Sequence, residues 1–241
     1  MRKIRVMCVL FAIAFVCRVA TVRAETLEGL QKAADENWKK MTSMSYNIEM
    51  NMDMSGEGFS MKSTGSGKCE MSHSGEKWMM FTEMKNSAVQ KVAGTETKTD
   101  SVTSMVCDGD FIYTVSDMAG QKSATKSKAD SFMKMAGGTG FFTGLKDVYD
   151  LSVLPDEQVD GKATYVVEAK PKAAAAAAGG ASRYNFDKDS MIVVQTKTMG
   201  PDGKVMSLMK VTNLKLGGAV DASHFAFKAP AGVEVMDMTK Q

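Results

Sequence analysis

The residues with the most obvious chemistry are methionines. Met50-x-Met52-x-Met54 sends three thioethers to one side of any extended segment, and His73, Trp78, Met79 and Met80 follow shortly after. Soft sulfur ligands of this kind select Cu(I), so a Met-rich copper-binding protein is one reading. Strand geometry places alternating methionines on any dry face, so the favoured reading is an apolar surface with no metal site. Two cysteines, Cys69 and Cys107, follow the N-terminal segment. A disulfide between them stays open because spacing cannot place their Cα atoms. Catalytic chemistry has little to work with. The two histidines, His73 and His224, stand outside any nucleophile or zinc motif, and neither Gly-x-Ser-x-Gly nor His-Glu-x-x-His occurs. Gly138-Thr139-Gly140 with Gly144 lacks the preceding strand and the lysine of a phosphate loop and reads as a hinge. No enzyme activity and no cofactor are expected.

The elements that must position these residues are legible from periodicity. Residues 25–41 carry Leu27, Leu30, Ala34, Trp38 and Met41 at helical spacing behind Thr26 as N-cap. From Met44 to Met54 the period switches to two, with Met44, Tyr46, Ile48, Met50, Met52 and Met54 dry and the intervening residues polar. Phe59, Met61, Cys69 and Met71 continue that parity in a second strand, where Gly65 and Gly67 suggest a bulge or bend. Strands are expected at 77–84, 88–93, 105–107 and 111–115, the last two joined by Asp108-Gly109 in a type I′ turn. Residues 120–128 read as a polar connection. Residues 129–145 read as a short helix, a glycine-rich hinge and an exposed pair, Phe141-Phe142. Further strands are expected at 153–158, 163–170, 183–186, 191–199 and 204–214, with the alanine run 173–178 as a surface loop and His224 in a turn. Roughly nine to eleven strands and little helix make one α+β unit on a large antiparallel sheet.

Composition narrows the class. The chain has 241 residues, of which 44% are hydrophobic and 24% charged. With 21 Gly and 4 Pro it is neither collagen-like nor disordered, and its period-two alternation excludes a coiled coil. Residues 1–24 pair a basic start (Arg2, Lys3, Arg5) with an apolar run, VMCVLFAIAFV, and end Val22-Arg23-Ala24. A signal peptide is expected, with the mature domain at 25–241. Its removal leaves 25 basic against 28 acidic residues, with Arg183 the single arginine, so no nucleic-acid footprint remains. The expected location is the periplasm.

Several patterns in order resemble the outer-membrane lipoprotein carrier (LolA/LolB) superfamily. They are the early amphipathic helix, Asp108-Gly109 before an aromatic strand, Val159-Asp160-Gly161 before Tyr165, Lys170-Pro171-Lys172, Phe186-Asp187-Lys188-Asp189, and the tail FAFKAPAGVEV at 225–235. The resemblance implies an incomplete β-barrel, a curved antiparallel sheet with helices over its concave apolar face, that shelters the acyl chains of lipoproteins. The family's early-strand arginine, which holds its helical lid, has no counterpart here. On this reading the cavity lining is Tyr46, Ile48, Met50, Met52, Met54, Phe59, Met61, Met80, Phe111 and Tyr113, with Phe132, Met133, Phe141 and Phe142 as lid. Lipoprotein acyl chains or another lipid are the expected partners of a monomeric protein outside the membrane. An envelope module that senses lipoproteins or binds another protein is the alternative.

Overall fold

The computed structural model describes residues 26–74, 77–129, 139–172 and 180–240. The expected signal peptide, Phe132, Met133 and the alanine run at 173–178 lie outside the described residues. Helix α1 (Leu27–Lys40) opens as expected, with Thr26 Oγ1 accepting a hydrogen bond from the Gly29 N–H at 3.0 Å. Ten strands follow in hairpin succession: β1 (Ser43–Gly56), β2 (Phe59–Ser74), β3 (Lys77–Val92), β4 (Thr95–Cys107), β5 (Phe111–Met118), β6 (Gln121–Lys128), then, after helix α2 (Thr139–Val148), β7 (Tyr149–Val159), β8 (Lys162–Pro171), β9 (Ser182–Asp187) and β10 (Val193–Met199). Strand β11 (Val205–Leu216) returns to pair with β1, and β12 (Val235–Asp237) ends the sheet. The order β12-β6-β5-β4-β3-β2-β1-β11-β10-β9-β8-β7 leaves two edges, so the curved sheet is an open barrel. Among the described residues every pairing is antiparallel except β12 with β6, which is parallel, a departure from the purely antiparallel expectation.

The strand pairing corrects several local expectations. Strand β3 runs unbroken where two strands are expected, and the polar residues 121–128 form β6, because a backbone ladder with β5 needs no apolar side chains. No bulge interrupts β2: its register with β1 is continuous from Ser43 opposite Ser72 to Gly56 opposite Phe59. Gly65 and Gly67 serve close packing instead. A Cβ on Gly67 would collide with the Glu83 carbonyl oxygen and the Met84 sulfur, and one on Gly65 with the Asn86 side-chain oxygen. Positive φ at both central residues, as a type I′ turn requires, is found instead at Asp160-Gly161 (50° and 81°), and also at Ala93-Gly94 and Ala119-Gly120. At Asp108-Gly109 the Asp108 carboxylate makes the turn instead, accepting from the N–H of Asp110 at 3.0 Å. It also accepts from the N–H of Phe111 at 2.8 Å, as an Asx turn does. His224 falls in a short 3₁₀ turn, Ala222–Phe225.

Directly opposed residues share a face, so pairing sorts the side chains into two layers. One layer packs under α1 and α2: Met44, Cys69, Met71, Met80, Cys107 and Ile112 form one buried cluster, while Leu30, Ala34, Phe142, Val167, Phe186 and Met191 form another. The opposite face of β8 to β10 buries polar groups. Asn185 donates to Thr164 Oγ1 at 3.0 Å and to Glu157 at 3.3 Å, Gln195 donates to Asn185 at 3.2 Å, and Lys197 donates to Glu157 at 3.0 Å. Arg183 is on this face too, donating from Nε to Glu168 at 3.1 Å.

Two tests follow from this packing. Gly67→Ala should lower stability by about 1–3 kcal/mol in urea titration, because the collision is with backbone and cannot be relieved by a rotamer change. The hydrogen bond from Lys197, with help from Asn185, holds the Glu157 carboxyl below its ordinary value. A depressed carboxyl stabilises the fold above its unfolded value and loses that contribution as pH falls through the folded one. Lys197→Met should therefore flatten the fall in stability seen below about pH 4, measured as unfolding midpoints across the acid range.

Candidate functional site

The two helices do not seal the sheet completely. Between them and strands β1, β9, β10 and β11 lies a cavity of about 360 Å³. Helix α1 contributes Ala34 and Trp38, α2 contributes Phe141 and Phe142, and β1 contributes Met44, Tyr46 and Ile48. The far wall is Tyr184 and Phe186 of β9, Met191 and Ile192 just before β10, Val193 and Thr196 of β10, and Met209 and Val211 of β11. Among the described residues no charged side chain lines it. Burial, with Cys69 adjacent, pushes the Tyr46 phenol well above its ordinary value, and burial raises Tyr184 against an opposing hydrogen bond from Ser182. Both phenols stay neutral, and the cavity has the electrostatics of a hydrocarbon site with a few hydroxyls at its wall. A wider depression of about 710 Å³ lies over β2 to β5, where Lys85, Ser87, Asp100 and Asp117 line it. Water fills such a polar depression more readily than an apolar ligand does.

Helix α2 is held by aromatic contacts and two lysines. Phe142 is fully buried and stacks on Phe186 with centroids 5.3 Å apart. Phe141 meets Tyr184 edge-on at 5.2 Å, the other arrangement that ring quadrupoles favour. The pair is therefore not an exposed one: helix α2 starts at Thr139, ahead of both rings, and turns them toward the sheet. At the other end of α2, Lys172 Nζ donates to the carbonyl of Lys146 at 2.6 Å and lies 3.4 Å from that of Asp147. This puts a cation on the negative end of the helix. Lys146 Nζ then reaches Gln31 of α1 at 2.7 Å, tying the two helices together. The Lys170-Pro171-Lys172 segment thus anchors the C-terminal end of helix α2, whereas Arg183 sits on the far face of the sheet.

Of the residues named from sequence, Tyr46, Ile48, Phe141 and Phe142 line the cavity. Met80 is buried next to it in the cluster around Cys69 and Cys107. Met50, Met52, Met54, Phe59 and Met61 share the same face of β1 and β2 but lie beyond the cavity, toward the hairpin end. Phe111 and Tyr113 need correcting. Ile112 is opposite Cys107, which is opposite Met80, so Ile112 faces the helices and its two neighbours face away. Tyr113 stacks on Phe227 of the C-terminal segment at 4.3 Å and 7°, and Lys126 Nζ lies 3.7 Å from the Phe111 ring centre. The segment FIYTV is apolar on both faces because both are covered, so alternation alone could not assign its parity. The wall from β9 to β11 was missed. Its signal was present in Tyr184 and Phe186, and in Met209 and Val211, which alternate with polar residues.

Cys69 and Cys107 are free and buried, on β2 and β4 with β3 between them. Burial raises both thiols above their ordinary value, against hydrogen bonds from Tyr46 and Thr82 at Cys69 and from the Gly109 backbone at Cys107. Neither should react with a thiol-specific reagent in the native protein at about pH 8, and both should react once it is unfolded in urea. The copper grouping around His73 is dispersed: His73 stacks on Trp78 at 4.9 Å, Met80 is buried, and Met79 points to the opposite face.

No family model and no curated protein matches the sequence. Solved structures do match in fold. An uncharacterized conserved protein from Thermus thermophilus aligns over 87% of this chain and 98% of its own, with a TM-score of 0.53 and 8% identity. The lipoprotein LppX of Mycobacterium tuberculosis aligns over 81% of this chain and 99% of its own, at TM-score 0.42 and 14% identity. A putative outer membrane lipoprotein-sorting protein domain from Vibrio parahaemolyticus aligns over 81% of this chain and 97% of its own, at TM-score 0.30 and 11% identity. The fold is that of an open barrel with a helical cover, and the Thermus thermophilus protein shares it.

Proposed function

We propose that this protein is an exported lipid-binding carrier that takes an acyl chain, free or attached to a lipoprotein, into the covered cavity. The observation that carries the reading is the uncharged cavity of about 360 Å³ beneath two helices. A neutral, mostly aliphatic and aromatic lining offers an acyl chain burial without offering a charged ligand any partner. The volume lies near the lower end of the roughly 300–1,000 Å³ typical of small-molecule sites, which suits one slender chain better than a bulky polycycle. Binding here, rather than catalysis, agrees with the sequence, which holds no recognisable nucleophile or acid–base constellation. The expected signal peptide and the superfamily resemblance support an envelope location.

The interaction has a measurable signature. Each buried methylene contributes about 0.8 kcal/mol, close to a fourfold gain in affinity, until the cavity is full. Displacement of a fluorescent fatty-acid probe by saturated acids of increasing length should show this rise and then a plateau. Val211→Trp fills the space from β11 and should weaken probe binding by at least about tenfold with the fold intact by circular dichroism. Absence of probe binding, together with no lipid in organic extracts of the purified protein, overturns the proposal.

A further inference from the structure

Beyond the covered cavity, β1 and β2 carry a second feature on the same face. Met54 is directly opposite Met61, Met50 is directly opposite Met209, and Met52 stands between them opposite Ser63 and Ser207. Opposed residues have Cβ atoms roughly 4.5–5.5 Å apart and alternate residues along a strand are about 7 Å apart, gaps that flexible thioether arms can close. The sulfurs of Met52, Met54 and Met61 can therefore meet at one point over the β1–β2 hairpin.

These methionines differ from the others on this face. Met44, Met71 and Met80 are core residues and Met191 and Met209 line the cavity, whereas Met52, Met54 and Met61 belong to neither buried cluster and remain half-exposed. Their charged neighbours, Asp53 and Lys62, pair with each other at 3.0 Å on the opposite face. Among the described residues the immediate surroundings on the methionine face are the hydroxyls of Ser63 and Ser207, Gly65, Phe59 and the Gln90 amide opposite Met61, with no carboxylate to attract a hard divalent cation. Among the described residues no group of three His, Cys, Asp or Glu side chains comes together as an alternative metal site. Neutral thioethers are soft donors, and the ion they select is Cu(I).

We infer that Met52, Met54 and Met61 form a Cu(I)-binding site at the hairpin end of the sheet, separate from the acyl-chain cavity. The site binds the ion already in its reduced state, so no electron transfer is involved. The test is an anaerobic titration of the full purified chain with Cu(I) in competition with bicinchoninate, a chromogenic chelator. Retention of one Cu(I) per chain with a sulfur-only shell in X-ray absorption is expected. The triple variant Met52→Leu, Met54→Leu, Met61→Leu, which keeps the surface apolar, should lose affinity by at least about tenfold, while Met79→Leu on the opposite face should not. Fatty-acid probe binding should be unchanged in the triple variant, which separates this site from the cavity. No retention, an oxygen or nitrogen shell, or equal retention by the triple variant overturns the assignment and leaves an apolar patch. If the triple variant does not fold, Ag(I) titration of the wild type followed by methionine methyl resonances decides: shifts confined to these three residues support the site, and shifts elsewhere refute it.

Discussion

The dominant constraint on this molecule is that an open sheet with one apolar face must have that face covered. Antiparallel register makes the requirement rigid, because a slip of one residue would turn every side chain of a strand to the other face. Strand β1 is central to the sheet, paired on both sides by β2 and β11, so its dry residues Met44, Tyr46 and Ile48 join the two halves. Two helices cover the layer, and their attachment is aromatic: Trp38 against Trp78 at 4.7 Å, and Phe142 against Phe186. Large flat rings bridge a curved surface without filling every space beneath it, and the cavity is the space they leave.

The opposite face is handled by different chemistry in its two halves. Over β3 to β6 it is covered by the chain's own C-terminal segment, with Phe227 on Tyr113, Phe225 buried, and His224 Nδ1 2.6 Å from Glu70. That segment ends in β12, which pairs with β6 and occupies part of an otherwise open edge. Over β7 to β10 the buried groups include a polar set, Glu157, Thr164, Asn185 and Gln195, whose members satisfy one another. Such a network tolerates burial because its members are paired, and the low dielectric that strengthens those bonds penalises loss of any partner. Buried amides and carboxylates are thus kept to the far face, where they lie beside apolar groups such as Val166 and Phe225, while the cavity under the helices is uncharged.

Much of this architecture was legible from residue order. The Thr26 cap, the α1 stripe and the alternation from Met44 to Met54 each have a local cause, and each is found where its period places it. Local reasoning failed where two covers met. Phe111 and Tyr113 are as apolar as their neighbour Ile112, and only the Ile112–Cys107–Met80 register assigns their face. Gly65 and Gly67 have the composition of a bulge but serve close contact with β3, which no pattern within β2 itself could reveal. Phe141 and Phe142 read as exposed because the helix that buries them begins among glycines, poor helix formers whose state is decided by packing.

The sequence by itself determined the class of element at most positions and the existence of a dry face, because period, caps and turn chemistry act over a few residues. It also determined the soft, nearly arginine-free character of that face, which is a matter of composition. Only the tertiary structure decided how far the dry face is covered, and therefore which methionines became core, which became cavity wall and which stayed half-exposed near the hairpin. The physical reason is that thioethers two residues apart on one strand are locally equivalent. Their environments diverge only through where α1 and α2 come to rest, and that is set by contacts with β9 to β11 from the other half of the chain.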